Sequence, residues 1–339
     1  MCYCHISGSK LRAVTMNTDN DQVKQRISVF DLHCDTLDKL LELSRTAPGE
    51  GFSPYTASTD IALSQMGAYD WCQCFAVYIP DGLGAEMSWE HYQKGLRAFK
   101  GLLQNEDCAL TQAASADDIM RAIDSNRSAA ILTIEGAAFL DGSLAPIGQI
   151  AADGVKAVTL TWNAANAVAG GVGSTAGFSS FGRQVVKALE QNHVIVDASH
   201  LNDQSFSDLQ KLATRPFIAT HSNSRTVCAH PRNLTDDQFL AIMGCGGLVG
   251  MNFCEYFIVD DQRPVVPDDI FSHLEHWLLL GGEDHVALGS DYDGAPVPEW
   301  LVPSSRLGFL YEQSVARFGT QVTDKWFFTN AYGFMQRNA

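Results

Sequence analysis

Eight short apolar segments, each followed by a helical segment, constrain the fold of this chain more than any other feature. They are residues 29–35, 72–79, 129–135, 157–162, 193–199, 217–220, 247–253 and 285–289. Their lengths and their content of β-branched and aromatic residues are typical of buried strands. Eight strands that alternate with helices predict a (β/α)8 barrel, the TIM barrel, in which the strands are parallel.

A doubly wound sheet is the alternative to the barrel. It would place a glycine-rich phosphate-binding loop after an early strand. The glycine-rich segment 170–177 follows a strand but does not have the GxGxxG spacing. The chain of 339 residues shows no repeat and no linker. We therefore predict one domain over residues 26–339, preceded by a poorly ordered tail of residues 1–25.

Composition excludes several classes of partner. The net charge of −16 disfavours binding to nucleic acid and to anionic membranes. The sequence also shows no apolar run that approaches the roughly 18 residues of a membrane span. The nine cysteines are odd in number and do not resemble a disulfide framework, which favours a cytoplasmic location. The sequence leaves open whether the chain forms a homodimer.

The ends of the predicted strands carry histidines and acids. Barrel enzymes place their catalytic residues at the C-terminal ends of the strands. The residues found there are His33 and Asp35 on the first strand, Glu135 on the third, Trp162 on the fourth, His200 on the fifth, His221 on the sixth and Asp291 just after the eighth. Since side chains two apart on a strand point the same way, His33 and Asp35 can reach one point.

Barrel closure brings these residues into two groups. The first and eighth strands become neighbours, which places Asp291 beside His33 and Asp35, and the fifth and sixth strands place His200 beside His221. Glu135 can lie between the two groups. Nitrogen and oxygen ligands of this kind suit zinc. We predict a centre for two metal ions that are bridged by one carboxylate, as in two-metal hydrolases.

Several motifs resemble those of the renal (membrane) dipeptidase family, dizinc peptidases of the amidohydrolase superfamily. They are DLHCDT, TIEGA, VTLTWN, VDASH, ATHSNSRTVCAHPRN and ALGSDYDG, in the family's order, between residues 30 and 294. The resemblance implies that His33 and Asp35 bind the first zinc, that His200 and His221 bind the second, and that Glu135 bridges both.

The same resemblance implies that Arg232 holds the C-terminal carboxylate of the substrate, a role that suits a guanidinium group. The alternative for Arg232 is a salt bridge that pins its loop. The family pattern has a histidine where this chain has Trp162. The indole N–H can donate a hydrogen bond to an oxyanion but cannot carry a positive charge. Trp162 is therefore expected either to donate such a bond or to form a wall of the pocket.

We expect a zinc-dependent dipeptidase that holds two Zn²⁺ and acts on free dipeptides. A hydroxide that bridges the metal ions would attack the peptide carbonyl, and Asp291 would pass a proton to the leaving amine. The alternative for Asp291 is to orient a ligand histidine. Two rival functions share the same fold: another amide hydrolase, acting on lactams or N-acyl amino acids, and a binding protein without turnover.

Overall fold

A curled sheet of parallel strands forms the centre of the molecule. The computed structural model describes residues 26–46, 53–56, 58–261 and 263–338. The strands are β1 (Ser28–Asp31), β2 (Asp70–Tyr78), β3 (Leu110–Gln112), β4 (Ser128–Glu135), β5 (Val155–Thr159), β6 (Ile195–Asp197), β7 (Val249–Met251) and β8 (Val286–Leu288). Their order is β6-β5-β4-β2-β1-β8-β7, and β3 pairs with β4 outside this path. The predicted tail, residues 1–25, lies outside the described residues.

The segment 217–220 closes the sheet without forming a regular strand. Asp197 of β6 pairs with Ile218, and Ala219 pairs with Val249 of β7, both in the parallel sense. This closure, together with the helices between the strands, confirms the (β/α)8 prediction. The other seven predicted strands each overlap a strand of the structure. The short β3 was not predicted, because three residues are too few to show a periodic pattern.

Helices follow most of the strands. They are α1 (Thr36–Thr46), α2 (Ala85–Gln104), α3 (Ala116–Asp124), α4 (Ala145–Ala152), α5 (Ser180–Gln191), α6 (Asp203–Leu212), α7 (Asp236–Gly244), α8 (Pro267–Leu279), α9 (Leu307–Phe318), α10 (Thr320–Asp324) and α11 (Asn330–Asn338). Capping boxes at Ser115 and Thr235 fix where α3 and α7 begin. Within the ranges described, none of the helices combines the length and the apolar character needed to cross a membrane.

Apolar side chains cover both faces of the sheet. Val29 belongs to one buried cluster, whereas its neighbour Phe30 belongs to a second one. Because neighbouring residues of a strand face opposite ways, the two clusters lie on opposite faces. A parallel sheet that is buried on both faces has this continuous apolar pattern, which is why the strands were readily predicted.

Two buried aspartates join the strand ends on which the candidate residues lie. Asp31, the last residue of β1, accepts hydrogen bonds from the backbone N–H of Ser290 (2.8 Å) and from its hydroxyl (2.6 Å). Asp197, the last residue of β6, accepts from the backbone N–H of Thr220 (3.0 Å) and the hydroxyl of Thr159 (2.7 Å). The bonds of Asp31 join the end of β1 to the loop after β8. Those of Asp197 join the end of β6 to the end of β5 and to the end of the segment 217–220.

The first predicted strand is too long at its C-terminal end. β1 ends at Asp31, so that His33 and Asp35 follow the strand rather than belonging to it. At the end of β1 the side-chain carboxylate of Asp31, rather than a backbone carbonyl, accepts the N–H of Ser290 from the neighbouring chain segment.

Gly289, just after β8, lets its backbone approach the carbonyl oxygen of Thr220 closely. A β-carbon at Gly289 would collide with the carbonyl oxygen of Thr220. We expect Gly289→Ala to lower the free energy of unfolding by about 1–3 kcal/mol, the usual cost of overpacking. Denaturant unfolding measures this change. Gly101→Ala is the control: this helical glycine of α2 has open space around its β-position, so alanine should stabilise by about 0.5–1 kcal/mol. Equal stability of the two variants would contradict the packing argument.

Candidate metal centre

The six predicted histidines and acids meet at one end of the barrel, and all six are buried. Glu135 is the last residue of β4, and the others lie in the loops that directly follow β1, β6, the segment 217–220 and β8. The C-terminal ends of parallel strands share one edge, which is why residues far apart in sequence converge here.

Glu135 contacts histidines from both predicted groups. Its Oε1 lies 2.7 Å from Nε2 of His200 and 3.4 Å from Nε2 of His221. Its Oε2 lies 3.8 Å from Nε2 of His33. The two oxygens of one carboxylate therefore face different sides of the cluster, which is the arrangement that a bridging ligand needs.

The second part of the cluster lies around His33. Its Nε2 is 3.3 Å from Oδ2 of Asp35 and 3.8 Å from Oδ1 of Asp291. Potential ligand atoms of these three residues lie within 4.8 Å of one another, as do those of His33, Glu135 and His221. The imidazole rings of His33 and His221 stack with their centroids 3.8 Å apart, which brings the two groups into one cluster.

Hydrogen bonds orient the two histidines next to Glu135. Nδ1 of His200 lies 3.1 Å from Oδ1 of Asn163, and Nδ1 of His221 lies 2.8 Å from the hydroxyl oxygen of Thr220. The hydroxyl of Thr220 itself donates to Asp197, so it accepts the Nδ1–H of His221. A histidine that donates from Nδ1 presents an unprotonated Nε2, the form that binds a metal. Asn163 and Thr220 were not predicted from the sequence.

Burial and mutual repulsion shift the titration of the cluster. Burial raises the pKa of Asp35 and of Asp291, and it raises that of Glu135 to about 7. For His33, burial lowers the pKa, but attraction to nearby carboxylates, Asp35 first among them, outweighs this and raises it to about 10. These shifts favour a protonated His33 at neutral pH, and a metal ion bound at Nε2 would displace that proton.

The donor set fits a divalent metal ion. Three histidines supply nitrogen and three acids supply oxygen, the ligands that zinc takes. Oδ1 of Asp35 is buried and has no hydrogen-bond partner among the described residues. A buried carboxylate oxygen without a partner is costly, and a metal ion would satisfy it.

Three of the six residues other than glycine with positive φ, counted over the described part of the chain, lie at this site. His200 has φ 69°, Asp291 has φ 65° and Asp293 has φ 68°. Residues other than glycine rarely adopt this left-handed region, and they do so most often at functional sites. The carboxylate of Asp293 accepts from the hydroxyl of Thr36 and the backbone N–H of Asp60, both at 2.6 Å, so it braces the loop.

A cavity of about 290 Å³ opens onto the cluster. Asp35, Glu135, His200 and Asp291 line the cavity together with aromatic side chains that include Trp162. The ring of Trp162 lies edge-on to Tyr78, with centroids 5.2 Å apart, and 6.3 Å from the ring of His200. Trp162 thus lies on the wall of the cavity beside the predicted metal ligands.

Arg232 lies buried next to this cavity. Its Nη1 donates to the hydroxyl of Ser222 (3.3 Å) and its Nη2 to the carbonyl of His221 (3.2 Å). The guanidinium carbon lies 5.6 Å from the ring centre of Phe257, which lines the cavity. Its Nε is buried and has no partner among the described residues. These two hydrogen bonds go to uncharged oxygens, which leaves donor capacity for an anion.

Comparison with known proteins shows the family to which the chain belongs. The sequence model of the membrane dipeptidase family, peptidase family M19, matches residues 18–321. The chain belongs to this family. It is therefore a metallopeptidase and a hydrolase, as the resemblance in its motifs implied, and its family membership implies dependence on a metal.

Curated relatives cover parts of the chain. An uncharacterised protein in the pqqA 5′ region of Klebsiella pneumoniae is 36% identical over 219 residues, 61% of this chain and 80% of its own length. An uncharacterised dipeptidase of Schizosaccharomyces pombe is 34% identical over 191 residues, 53% of this chain. That match spans 45% of the yeast protein's length.

Solved structures of M19 peptidases share the fold over nearly the whole chain. The crystal structure of a dipeptidase of family M19 superimposes with a TM-score of 0.84 at 25% identity, covering 93% of this chain and 99% of its own. A metallopeptidase of Rhodobacter sphaeroides, liganded with a phosphinate mimic of the dipeptide L-Ala-D-Ala, gives 0.82 at 25% identity. It covers 93% of this chain and 100% of its own.

Gly294 provides a test of how tightly the cluster is built. A β-carbon at this position would collide with Oδ2 of Asp35 and approach Oδ1 of Asp291 to 2.9 Å. We expect Gly294→Ala to displace both carboxylates and to weaken binding of a divalent metal by roughly 10–100-fold, as disturbed ligand orientation does elsewhere. Titration calorimetry with zinc measures this affinity.

Gly148→Ala is the matched control for that titration. Gly148 lies in α4, where a β-carbon would meet no neighbouring atom, so this variant should bind zinc as the wild type does. Wild-type affinity of Gly294→Ala would show that Asp35 and Asp291 do not contribute to a metal site.

Proposed function

We propose that this protein is a zinc-dependent dipeptidase that hydrolyses free dipeptides at a centre for two zinc ions. The observation that carries the proposal is the position of Glu135 between the histidines of two groups, 2.7 Å from His200 and 3.8 Å from His33. One carboxylate that faces two sets of ligands is what a two-metal hydrolase requires. The related peptidase that binds a dipeptide mimic supports a dipeptide as the substrate.

His33 and Asp35 would hold one ion, His200 and His221 the other, and Glu135 both. Two zinc ions held in this way would polarise the peptide carbonyl and lower the pKa of a water molecule between them. The chain's contribution is to fix the ligands. Asn163 and Thr220 hold the two histidines in the orientation that turns Nε2 towards Glu135, and the barrel keeps the six side chains of the cluster largely buried.

Asp291 is proposed to move the proton in this reaction. Its carboxylate lines the cavity, and Oδ1 lies 3.8 Å from Nε2 of His33. From there it can take a proton from the attacking water and pass it to the leaving amine. The alternative is that Asp291 orients a ligand histidine, and its position beside His33 in the cluster with Asp35 favours this role.

Arg232 is proposed to bind the C-terminal carboxylate of the dipeptide. Its buried Nε has no partner among the described residues, and a carboxylate would supply one. The cavity of about 290 Å³ is of the size that suits a small ligand. Its aromatic wall at Trp162 and Tyr78 would contact the side chains of the substrate or, at the indole N–H of Trp162, its carbonyl oxygen.

The setting of the enzyme is also a proposal. The cysteines within the described residues are all free, and most are buried, which supports a cytoplasmic location. The net charge of −16 supports a small peptide substrate rather than nucleic acid or anionic lipid. Strands from residue 28 to residue 288 belong to one sheet, which supports a single domain over residues 26–339.

Substrate length and the free carboxylate test the proposed activity. The zinc-loaded wild type should hydrolyse L-Ala-D-Ala or L-Ala-L-Ala faster than tripeptides, C-terminal dipeptide amides and N-acyl amino acids. We expect Arg232→Met to raise KM for free dipeptides about 10–100-fold, because each lost charge-assisted hydrogen bond is worth roughly 1.5–3 kcal/mol. The amides, which offer no carboxylate, should be little affected. Steady-state kinetics on matched acid and amide pairs measure both effects.

Arg183→Met is the control for this experiment. Arg183 lies in α5 with its side chain 50% exposed, so its loss should leave both substrates unaffected. Equal losses on acids and amides would mean that Arg232 only supports the fold. Faster cleavage of N-acyl amino acids or tripeptides by the wild type would replace the dipeptidase proposal by another amide hydrolase.

A further inference from the structure

Asn252 is a fully buried amide that reaches the metal centre from β7. It directly follows Met251, the last residue of that strand, and so lies on the same edge of the barrel as the predicted ligands. None of its surface is exposed. Its side-chain Nδ2 donates a hydrogen bond of 2.8 Å to Oδ2 of Asp291.

The other hydrogen bonds of Asn252 determine which way its amide points. Oδ1 accepts the backbone N–H of Cys254 at 2.6 Å, and a backbone N–H can only donate. The oxygen of the amide must therefore face Cys254, and the NH₂ group must face Asp291. The orientation of the donor towards Asp291 thus follows from the hydrogen-bond network.

Asn223 holds the backbone of Asn252 in place. Oδ1 of Asn223 accepts the N–H of Asn252 (2.9 Å), and its Nδ2 donates to the carbonyl of Asn252 (2.8 Å). Asn223 lies two residues after His221, so this pair of bonds ties the loop of His221 to the strand end that contacts Asp291. The backbone N–H and carbonyl of Asn252 and both polar atoms of its side chain are therefore hydrogen-bonded. This fixes the position from which its Nδ2 donates to Asp291.

We propose that Asn252 is the positioning residue for Asp291. By holding Oδ2, it turns Oδ1 towards Nε2 of His33, 3.8 Å away, and towards the reacting groups. The terminal torsion of an aspartate is soft, so without this bond the carboxylate can rotate. The inference rests on the role given to Asp291 in the proposed function, and it adds the residue that makes that role geometrically possible.

Two variants separate positioning from loop support. Asn252→Asp keeps the oxygen that accepts from Cys254 but replaces the donor to Asp291 by a second oxygen. Asn252→Leu is of similar size and uncharged, and it removes both bonds. If Asn252 positions Asp291, both variants should lower kcat about 10–100-fold, in the range seen when residues behind a metal site are altered. KM for the dipeptide and the content of two zinc equivalents should be little changed.

Crystal structures of the two zinc-loaded variants provide a measurement that does not depend on activity. The wild type should show Oδ1 of Asp291 facing His33, and the variants should show the carboxylate rotated or divided between two orientations.

A third measurement is the effect of Asn252→Leu in an Asp291→Asn background. There it should lower the remaining kcat by much less than in the wild type, because the two residues act through one contact.

Three results would overturn the inference. They are a wild-type kcat for Asn252→Asp with a defect only in Asn252→Leu, an unrotated Asp291 in both crystal structures, and losses that add fully in the double variant. The first result would assign Asn252 to loop support through Cys254. If the wild type hydrolyses no dipeptide, the proposed function fails, whereas the crystal structures still decide the role of Asn252.

Discussion

The carboxylate of Glu135 is the group on which the arrangement of the site depends. Glu135 is the last residue of β4, a strand in which every residue is buried. Its two carboxylate oxygens face histidines from different parts of the barrel. A buried carboxylate is unfavourable unless it is paired or bound to a cation, and burial raises the pKa of Glu135 to about 7. Burial also raises the pKa of Asp35 and of Asp291 beside it. A site of this kind gains from divalent cations, which neutralise several carboxylates at once.

The frame around Glu135 is built from buried hydrogen bonds between neighbouring strand ends. Asp31 and Asp197 lie one layer below the histidines and join neighbouring strand ends through serine and threonine hydroxyls. Asn163 and Thr220 then orient two of the imidazole rings. The barrel therefore fixes the positions of the proposed ligands, and such preorganisation favours tight and selective metal coordination.

The sequence was sufficient to predict the barrel and the convergence of six histidine and acid side chains at one end of it. Buried parallel strands have a recognisable apolar pattern, and histidines and acids that end such strands must share one edge. It did not reveal Asn163, Thr220 or Asn252, because an uncharged residue after a strand resembles many loop residues. Nor did it show that the segment 217–220 pairs only through single bridges, since that depends on the register set by its neighbours.

Anomalous diffraction at the zinc edge, on crystals of the zinc-loaded protein, tests the central claim most directly. The account predicts two peaks roughly 3.5–4 Å apart. One should lie within bonding distance of His33 and Asp35, the other within bonding distance of His200 and His221, with an oxygen of Glu135 on each. A single peak, or two peaks of which only one contacts Glu135, would contradict the claim that this carboxylate joins two metal sites.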